Sequence, residues 1–216
     1  MFRKHRLSKI AVIGAAIIAV AALACPTAEA QVKAFKISGE GEGPIGLPLP
    51  GQDARMHWVV GNATHLGRHY GEGTVQTDEG EQYHFDDDNN LTHITGTFGS
   101  GDGGFTFTAA NGDKLGCHYG RADDSEHVEV AADEPGTFEL TVLEVTFEDD
   151  QPIFLVEALW IAEFVPQPSL CTGRFAGVTG SWIMYAESEP FVLGSDDPVR
   201  YSWEGKGKLT FVKGKK

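Results

Sequence analysis

The sequence lacks the short motifs that identify most hydrolytic, nucleotide-dependent and metal-dependent enzymes. It contains no nucleophile-elbow serine, no HExxH pair, no phosphate-binding loop and no dinucleotide-binding fingerprint. A glycine-rich stretch at residues 99–104 leads into a predicted strand, whereas a phosphate cradle needs the N-terminus of a helix. We therefore expect no cofactor, no metal and no catalytic constellation of a familiar type.

Positive charge is scarce. The chain has 17 Lys and Arg residues against 31 Asp and Glu residues, which gives a net charge of −14 at pH 7. A surface this acidic is repelled by the phosphates of nucleic acids and by anionic membranes. We expect no nucleic-acid partner, and we interpret the charge as a source of solubility.

The chain also lacks an apolar run long enough to span a membrane. The run Ile10–Ala24 has 15 residues, and a membrane-spanning helix needs about 20. Ala28-Glu29-Ala30 follows it, with small residues at the two positions that a signal peptidase reads. Four basic residues precede the apolar run: Arg3, Lys4, Arg6 and Lys9. This order predicts a helical signal peptide in residues 1–30, cleaved after Ala30, and secretion of the rest to the periplasm or the extracellular space.

Cleavage would make the protein more acidic, because the leader holds four basic residues and one acidic residue. It would leave 186 residues, with 13 Lys and Arg against 30 Asp and Glu, a net charge of −17. An alternative is lipidation of Cys25, which would tether the protein to a membrane. The sequence Ala22-Leu23-Ala24-Cys25 resembles a bacterial lipobox, although the leucine usually stands where this chain has Ala22.

Cysteine is scarce as well, since only Cys117 and Cys171 would remain after cleavage. An oxidising compartment allows a disulfide between them. Two buried free thiols are the alternative, because a disulfide requires a short Cα–Cα distance that the residues alone do not supply.

What the chain does have is a pattern of short strands. Glycine is spread along the whole length, and apolar-alternating runs lie between the glycines, which is typical of an all-β fold. We interpret residues 39–44 as a loop and expect eight to ten strands in one domain, residues 31–216. Twelve segments are candidates for these strands: Lys33–Ser38, Arg55–Val60, Ala63–Val75 (broken at residues 71–73), Gln82–Phe85, Leu91–Phe98, Gly104–Ala109, Lys114–Tyr119, Thr137–Phe147, Ile153–Val165, Ser181–Ala186, Val199–Glu204 and Leu209–Val212.

Two of these strands have unusual patterns. In Thr137–Phe147 the apolar alternation changes phase between Val142 and Leu143, which predicts a β-bulge or a sharp bend. Ile153–Val165 is apolar on nearly both faces and fits a long strand. A helix is the alternative there, because Ala, Glu and Leu also favour helices.

Three landmarks resemble one known family. The segment Cys171–Ser181 is similar to the Gly-Thr-Gly-x-Phe-x-Gly-x-x-Gly signature of the allene oxide cyclase-like proteins, a group that includes dirigent proteins and uncharacterised secreted bacterial members. Thr64–Arg68 and Ala110–Asp113 resemble two further stretches that are common in the bacterial members. The resemblance implies a single antiparallel β-barrel of about eight strands around a lumen.

The resemblance also suggests roles for the motif residues. Glycines would turn the backbone tightly or let it pass close to a neighbour, while Phe175 fills the core. The glycines are Gly173, Gly177 and Gly180. Cys171 stands where the family usually has glycine, and Cys117 where it usually has a small residue or threonine. Two unusual cysteines at family landmarks favour the disulfide Cys117–Cys171.

Candidate catalytic residues are weak. Glu157 and Glu163 lie in the otherwise apolar run 153–165, and either could act as an acid or base if that face lined the lumen. If the face is turned to water, both are ordinary surface residues.

Candidate metal ligands are weak too. His65 and His69 share strand parity, but no third ligand is evident. Asp86, Asp88 and Asn90 resemble the start of a calcium loop whose glycine and glutamate are missing, so a solvated turn is the favoured interpretation.

Three hypotheses follow from the sequence. The first is a secreted, acidic, non-enzymatic β-barrel that binds a small hydrophobic ligand in an aromatic lumen. The four tryptophans lie in predicted strands and are interpreted as core or lumen-wall residues: Trp58, Trp160, Trp182 and Trp203. The second is an isomerase or cyclase that acts in the lumen through Glu157 or a histidine. The third is a structural or interaction protein of the cell envelope.

Overall fold

A computed structural model describes residues 30–43, 46, 48–49, 51–120, 129–130 and 132–212. Cys25 and all but the last residue of the expected signal peptide lie outside this part of the chain. The described strands are β1 (Ala30–Gly43), β2 (Arg55–Ala63), β3 (Gly67–Thr77), β4 (Gln82–Phe85), β5 (Leu91–Gly99), β6 (Phe105–Ala109), β7 (Lys114–Tyr119), β8 (Gly136–Glu148), β9 (Gln151–Pro166), β10 (Thr179–Ser188), β11 (Phe191–Val192) and β12 (Val199–Val212).

The expected all-β class is confirmed. Helical geometry in the described residues is limited to three short 3₁₀ turns, Gly101–Gly103, Pro168–Leu170 and Gly173–Phe175. None of the described helices has the length and apolar character that crossing a membrane requires.

The strands form one antiparallel sheet in which eight strands are paired in a closed ring. The order is β10, β12, β1, β2, β3, β6, β7 and β9, and β9 pairs again with β10. A second connection runs from β3 through β5 and β8 to β9. Strands β6 and β7 therefore complete the wall at one end of β3 and β9, and β5 and β8 complete it at the other.

Side chains alternate between the two faces of the ring, as the pleat of a strand requires. On β9, Val156, Ala158 and Trp160 are buried while Glu157 and Leu159 are exposed. The same alternation on the other strands fills the interior with large rings that are at most 6 % exposed. They are Phe35, Phe98, Phe105, Phe107, Tyr119, Phe164, Trp182 and Trp203.

Both unusual strand predictions are confirmed. Residues 153–165 lie within the strand β9 and not in a helix. The pairing of β8 with β9 shifts register between Val142 and Glu144, which is where the apolar alternation changes phase.

The predicted loop at residues 39–44 and the predicted break at residues 71–73 are wrong where the structure describes them. Residues 39–43 belong to β1, and 71–73 lie inside β3. Some of these glycines provide space for interior rings. A Cβ on Gly41 would collide with the ring of Tyr201, and one on Gly71 would come within 2.7 Å of the ring of Phe105.

The three landmark segments meet at one end of the ring, which we call the closed end. Arg174 Nε donates to the Asp113 carboxylate at 2.7 Å, and Arg174 Nη1 donates to the His65 carbonyl at 2.9 Å. Phe175 is fully buried beneath them, with its ring centroid 5.8 Å from that of Phe211. The landmarks thus cap one end of the ring.

The motif glycines have the backbone geometry that their positions need. Gly173, Gly177 and Gly180 have φ angles of 59°, 71° and 112°. At Gly173 there is also no room for a side chain, because a Cβ would overlap the Asp113 carboxylate. The glycines of this segment therefore shape the cap.

Candidate ligand-binding cavity

The interior beside the closed end is filled by the protein's own rings. Ring centroids of Phe35 and Trp182 are 4.9 Å apart, those of Phe164 and Trp182 are 5.3 Å apart, and those of Phe107 and Trp203 are 5.7 Å apart. Such spacings are typical of packed aromatic pairs. The space for a ligand lies toward the opposite end.

That space has two adjoining compartments. The inner one has a cavity volume of about 40 Å³, and the outer one about 70 Å³. Val75, Phe98 and Trp160 line both of them. The outer compartment is rimmed by the exposed side chains of Leu49 and Tyr83. Because a single water needs about 10–15 Å³ by this kind of measure, the two together can hold a small molecule but not a large one.

The inner compartment is apolar except for one polar cluster, His57, Tyr119 and Tyr201, which we call the Tyr–His–Tyr cluster. Among the described residues, the others that line it carry no charged or hydrogen-bonding side chain apart from the indole of Trp160. They are Gly43, Val75, Phe98, Phe164, Met184 and Ala186.

The cluster is a chain of three hydrogen bonds. His57 Nδ1 is 2.5 Å from Tyr201 Oη, and His57 Nε2 is 3.1 Å from Tyr119 Oη. Tyr119 Oη donates to the Thr74 carbonyl at 2.5 Å. Three different strands, β2, β7 and β12, supply the side chains, so the ring must close before the cluster exists.

The direction of each hydrogen bond follows from the bond between Tyr119 and the Thr74 carbonyl. A carbonyl only accepts, so Tyr119 uses its single hydroxyl proton on Thr74 and must accept from His57 Nε2–H. In a neutral imidazole the other nitrogen is then an acceptor, so Tyr201 donates to His57 Nδ1. The chain therefore runs in one direction, from Tyr201 to Thr74.

Electrostatics keep the histidine in this neutral form. Burial lowers the pKa of His57 from 6.5 to about 4, and this outweighs the opposing effect of the Thr74 backbone. Burial also raises the pKa values of Tyr119 and Tyr201 well above the usual value for a phenol. At neutral pH all three side chains of the cluster are therefore uncharged.

The two weak catalytic candidates lie on the outer face. Glu157 is exposed, and Glu163 is partly buried and accepts a hydrogen bond from the Asp133 backbone at 3.0 Å. Their neighbours of the other parity on β9 line the interior. The structure therefore gives these carboxylates surface positions and does not bring them to the cavity.

The histidines predicted to share one side are not brought together as ligands. His65 lies in the turn between β2 and β3 with a φ of 68°, and its ring packs on Phe211. His69 is buried on β3, and burial lowers its pKa. His84 and His93 stack at 4.1 Å across β4 and β5, and their rings are hydrogen-bonded to Thr95 and Thr92. In the described residues no three His, Cys, Asp or Glu side chains are grouped to hold a metal.

The calcium-like segment is a tight turn. Asp86 Oδ1 accepts the backbone N–H groups of Asp88 and Asn90, at 3.0 and 2.8 Å. Hydrogen bonds from the Asn90 side chain and backbone lower the pKa of Asp86 below its usual value. The carboxylate is thus engaged within its own turn.

The cysteines are free in this structure, which differs from the predicted disulfide. Cys117 and Cys171 are both buried thiols. Each sulfur lies near a backbone carbonyl of β7: Cys117 Sγ is 3.9 Å from the Leu115 oxygen, and Cys171 Sγ is 3.4 Å from the Gly116 oxygen. Burial raises the pKa of Cys117 well above its usual value and that of Cys171 to about 11. The alternative of two buried thiols therefore describes this structure.

A second buried polar pair, Ser100 and His118, is not a candidate nucleophile site. Ser100 Oγ is 2.9 Å from His118 Nδ1, which is the spacing of a catalytic pair. Ser100 is fully buried and His118 is 3 % exposed. Because no substrate can reach a serine without exposed surface, we assign the pair a structural role.

The sequence interpretation missed two members of the Tyr–His–Tyr cluster. Of the eight histidines in the chain, the sequence pattern indicated only His65 and His69 as candidate ligands, and it indicated neither Tyr119 nor Tyr201. Strand parity was the available signal, because Tyr201 shares its side of β12 with the buried Val199 and Trp203. A polar residue on a buried stripe is the informative exception.

Comparison of the chain with protein-family models, with curated proteins and with solved structures gave no significant match.

Proposed function

We propose that the protein is an exported antiparallel β-barrel of the allene oxide cyclase-like type that binds a small, neutral, largely apolar molecule in the cavity beside His57. The pattern of the first thirty residues supports export, and the closed ring of eight paired strands supports the barrel. The meeting of three family-like landmarks at the closed end is consistent with the family.

One observation carries the ligand-binding part of the proposal. The inner compartment is an apolar cavity with a single polar cluster on its wall, and no charged side chain lines it among the described residues. Ligand sites for small molecules have this composition, with a mostly apolar lining and a few polar groups that fix orientation. Trp160 lines both compartments, so its fluorescence reports on occupancy.

Toluene is a suitable probe because it is apolar and small. We expect it to change the tryptophan fluorescence of residues 31–216 saturably and to bind in isothermal titration calorimetry. The variant Ala186→Leu places extra carbon atoms in the inner compartment and should weaken toluene binding at least tenfold. A tenfold loss of affinity corresponds to about 1.4 kcal/mol of binding free energy.

The matched control is Ser202→Leu, which adds a similar apolar side chain at an exposed position of the neighbouring strand β12. It should bind toluene as the parent does. Failure of the parent to bind toluene at all, or equal binding by Ala186→Leu, would contradict the proposed ligand site.

Export is tested separately by the N-terminus of the protein recovered from a bacterium that expresses the full chain. Intact mass spectrometry should find a chain that begins at Gln31. A diacylglyceryl-modified Cys25 would show the tethered form instead, and an uncleaved chain in the cytoplasm would overturn the export proposal.

A further inference from the structure

The outer face of the ring carries an open groove that runs across β2, β1, β12, β10 and β9. It has two adjoining parts of about 490 and 830 Å³, and Glu40, Glu187 and Ser202 line both of them. These three side chains are exposed, whereas Ala186 and Trp203 beside them in the chain are buried. The groove, which we call the acidic groove, is therefore on the opposite face of the wall from the ligand cavity.

The strand register aligns the middle of the acidic groove in one row. Glu40 pairs with Ser202, and Ser202 pairs with Glu187. Because neighbouring strands are about 4.8 Å apart, the backbones at the two glutamates are about 10 Å apart. The row continues to Val60 beside Glu40 and to Leu159 beside Glu187. Two carboxylates thus lie between apolar flanks.

Both flanks expose apolar side chains to solvent. Trp58 and Val60, on β2, are 38 % and 55 % exposed, and Leu159 and Tyr185, on β9 and β10, are 36 % and 49 % exposed. Exposed apolar surface that borders polar residues is typical of a place where another molecule docks. The flanks give a partner apolar area to bury, and the charges determine which partner fits.

The charge of the acidic groove is one-sided. Five carboxylates line it against one cation, Arg200, which already pairs with Glu42 at 3.3 Å. The side chains of Glu40 and Glu187 have no hydrogen bond or ion pair with any other described residue. A partner that covered them without a cation would leave two unpaired charges out of water, at a large desolvation cost. Charge complementarity therefore requires a cationic partner.

Two other occupants do not fit. A second copy would bring the same excess of acidic residues, 31 against 17 basic residues in the whole chain. The lysines of residues 213–216 are out of reach within one molecule. Ser202 is ten positions from Val212 along β12, about 34 Å, whereas four residues span at most about 14 Å.

We propose that the acidic groove binds a segment of a partner protein that combines lysine or arginine with apolar residues. The basic side chains meet Glu40 and Glu187, and their aliphatic stems cover the apolar surface beside these carboxylates. The apolar side chains of the segment pack on Val60 on one flank and on Leu159 on the other. The indole of Trp58 adds a ring face that attracts a cation.

Three labelled peptides test the proposal on the parent protein. The first alternates leucine with lysine, the second has glutamate in place of lysine, and the third has serine in place of leucine. In fluorescence anisotropy at physiological salt, residues 31–216 should bind the leucine–lysine peptide about tenfold more tightly than either of the others. The first comparison measures the charge requirement and the second the apolar requirement.

The double variant Glu40→Gln/Glu187→Gln removes the two unpaired carboxylates and keeps their shape. It should weaken binding of the leucine–lysine peptide about fivefold or more, which is the scale of two surface ion pairs. The matched control Glu144→Gln/Glu148→Gln removes two exposed carboxylates of β8 that do not line the groove. It should bind the peptide within about twofold of the parent.

Several results would overturn the proposal. Equal loss of binding in the two double variants would show general attraction to an acidic protein. Equal binding of the leucine–lysine and serine–lysine peptides would show that the flanks contribute nothing. A dimer in analytical ultracentrifugation that Val60→Glu converts to a monomer would assign the groove to a second copy. The peptide comparison needs no variant to fold, and toluene binding does not depend on its result, so the proposed function can stand or fall separately.

Discussion

His57 should make the stability of the protein depend on pH in a specific window. Its pKa is lowered from 6.5 to about 4 by burial in the folded state, whereas in the unfolded chain it returns to the ordinary value. Between these two values the unfolded state binds a proton that the folded state does not. The contribution of His57 to the free energy of unfolding is therefore fully present above pH 6.5 and is lost as the pH falls toward 4.

The size of the effect follows from the shift. Each pKa unit corresponds to about 1.4 kcal/mol, so the contribution lost should reach about 2 kcal/mol by pH 5 and about 3 kcal/mol by pH 4. Carboxylates and the buried His69 also change stability with pH, so the effect of His57 must be isolated by difference.

The variant His57→Gln isolates it. Glutamine keeps one acceptor and one donor for the two tyrosines but does not titrate. Urea unfolding of residues 31–216 from pH 7.5 to 4 should show that the parent loses about 2–3 kcal/mol more than the variant. The control His84→Gln changes a histidine on the short strand β4, outside the inner compartment, and should follow the parent. Parallel curves for the parent and His57→Gln would refute the assignment of a neutral, partly buried His57.

Two further outcomes follow from the described geometry. Gly173→Ala should destabilise the protein more than Gly67→Ala in urea unfolding. Both positions have positive φ, which costs a residue with a side chain about 1–2 kcal/mol, but only at Gly173 would the added Cβ also clash with Asp113. If the two variants lose equal stability, the clash is not real. Cys117 and Cys171 should resist a thiol reagent in the native protein at pH 8 and react after unfolding, because both are buried. An intact mass lower by two hydrogen atoms would show a disulfide instead.

The fold class could be predicted because strand alternation is a local signal. The phase change at Val142 and the strand at residues 153–165 were both visible in the residues themselves. What the pattern could not show was which strands pair, since pairing depends on contacts between distant segments such as β1 with β12.

The interior glycines explain the errors in the strand boundaries. Local propensity treats glycine as a turn signal. Here Gly205 and Gly207 lie within β12, and a Cβ on either would come within 2.7 Å of Trp182. Gly205 makes room for the Trp182 ring, and Gly207 for the close backbone of the neighbouring strand at Ser181 and Trp182, which the sequence around them does not reveal.

The candidate site was out of reach of the sequence for a similar reason. Along the chain, His57 is 62 positions from Tyr119 and 144 positions from Tyr201, the two residues to which it is hydrogen-bonded. Motif reasoning looks for fixed local spacing, and this cluster has none. The pKa shift of His57 likewise arises from burial by the assembled ring.

The central claim is that an apolar cavity, able to take a small molecule, lies beside His57. A crystal structure of residues 31–216 pressurised with xenon tests it most directly, because xenon enters dry apolar cavities. The account predicts a closed eight-stranded barrel with xenon density in the compartment lined by Phe98, Trp160 and Met184. A compartment filled by these side chains, with no xenon in it, would contradict the account.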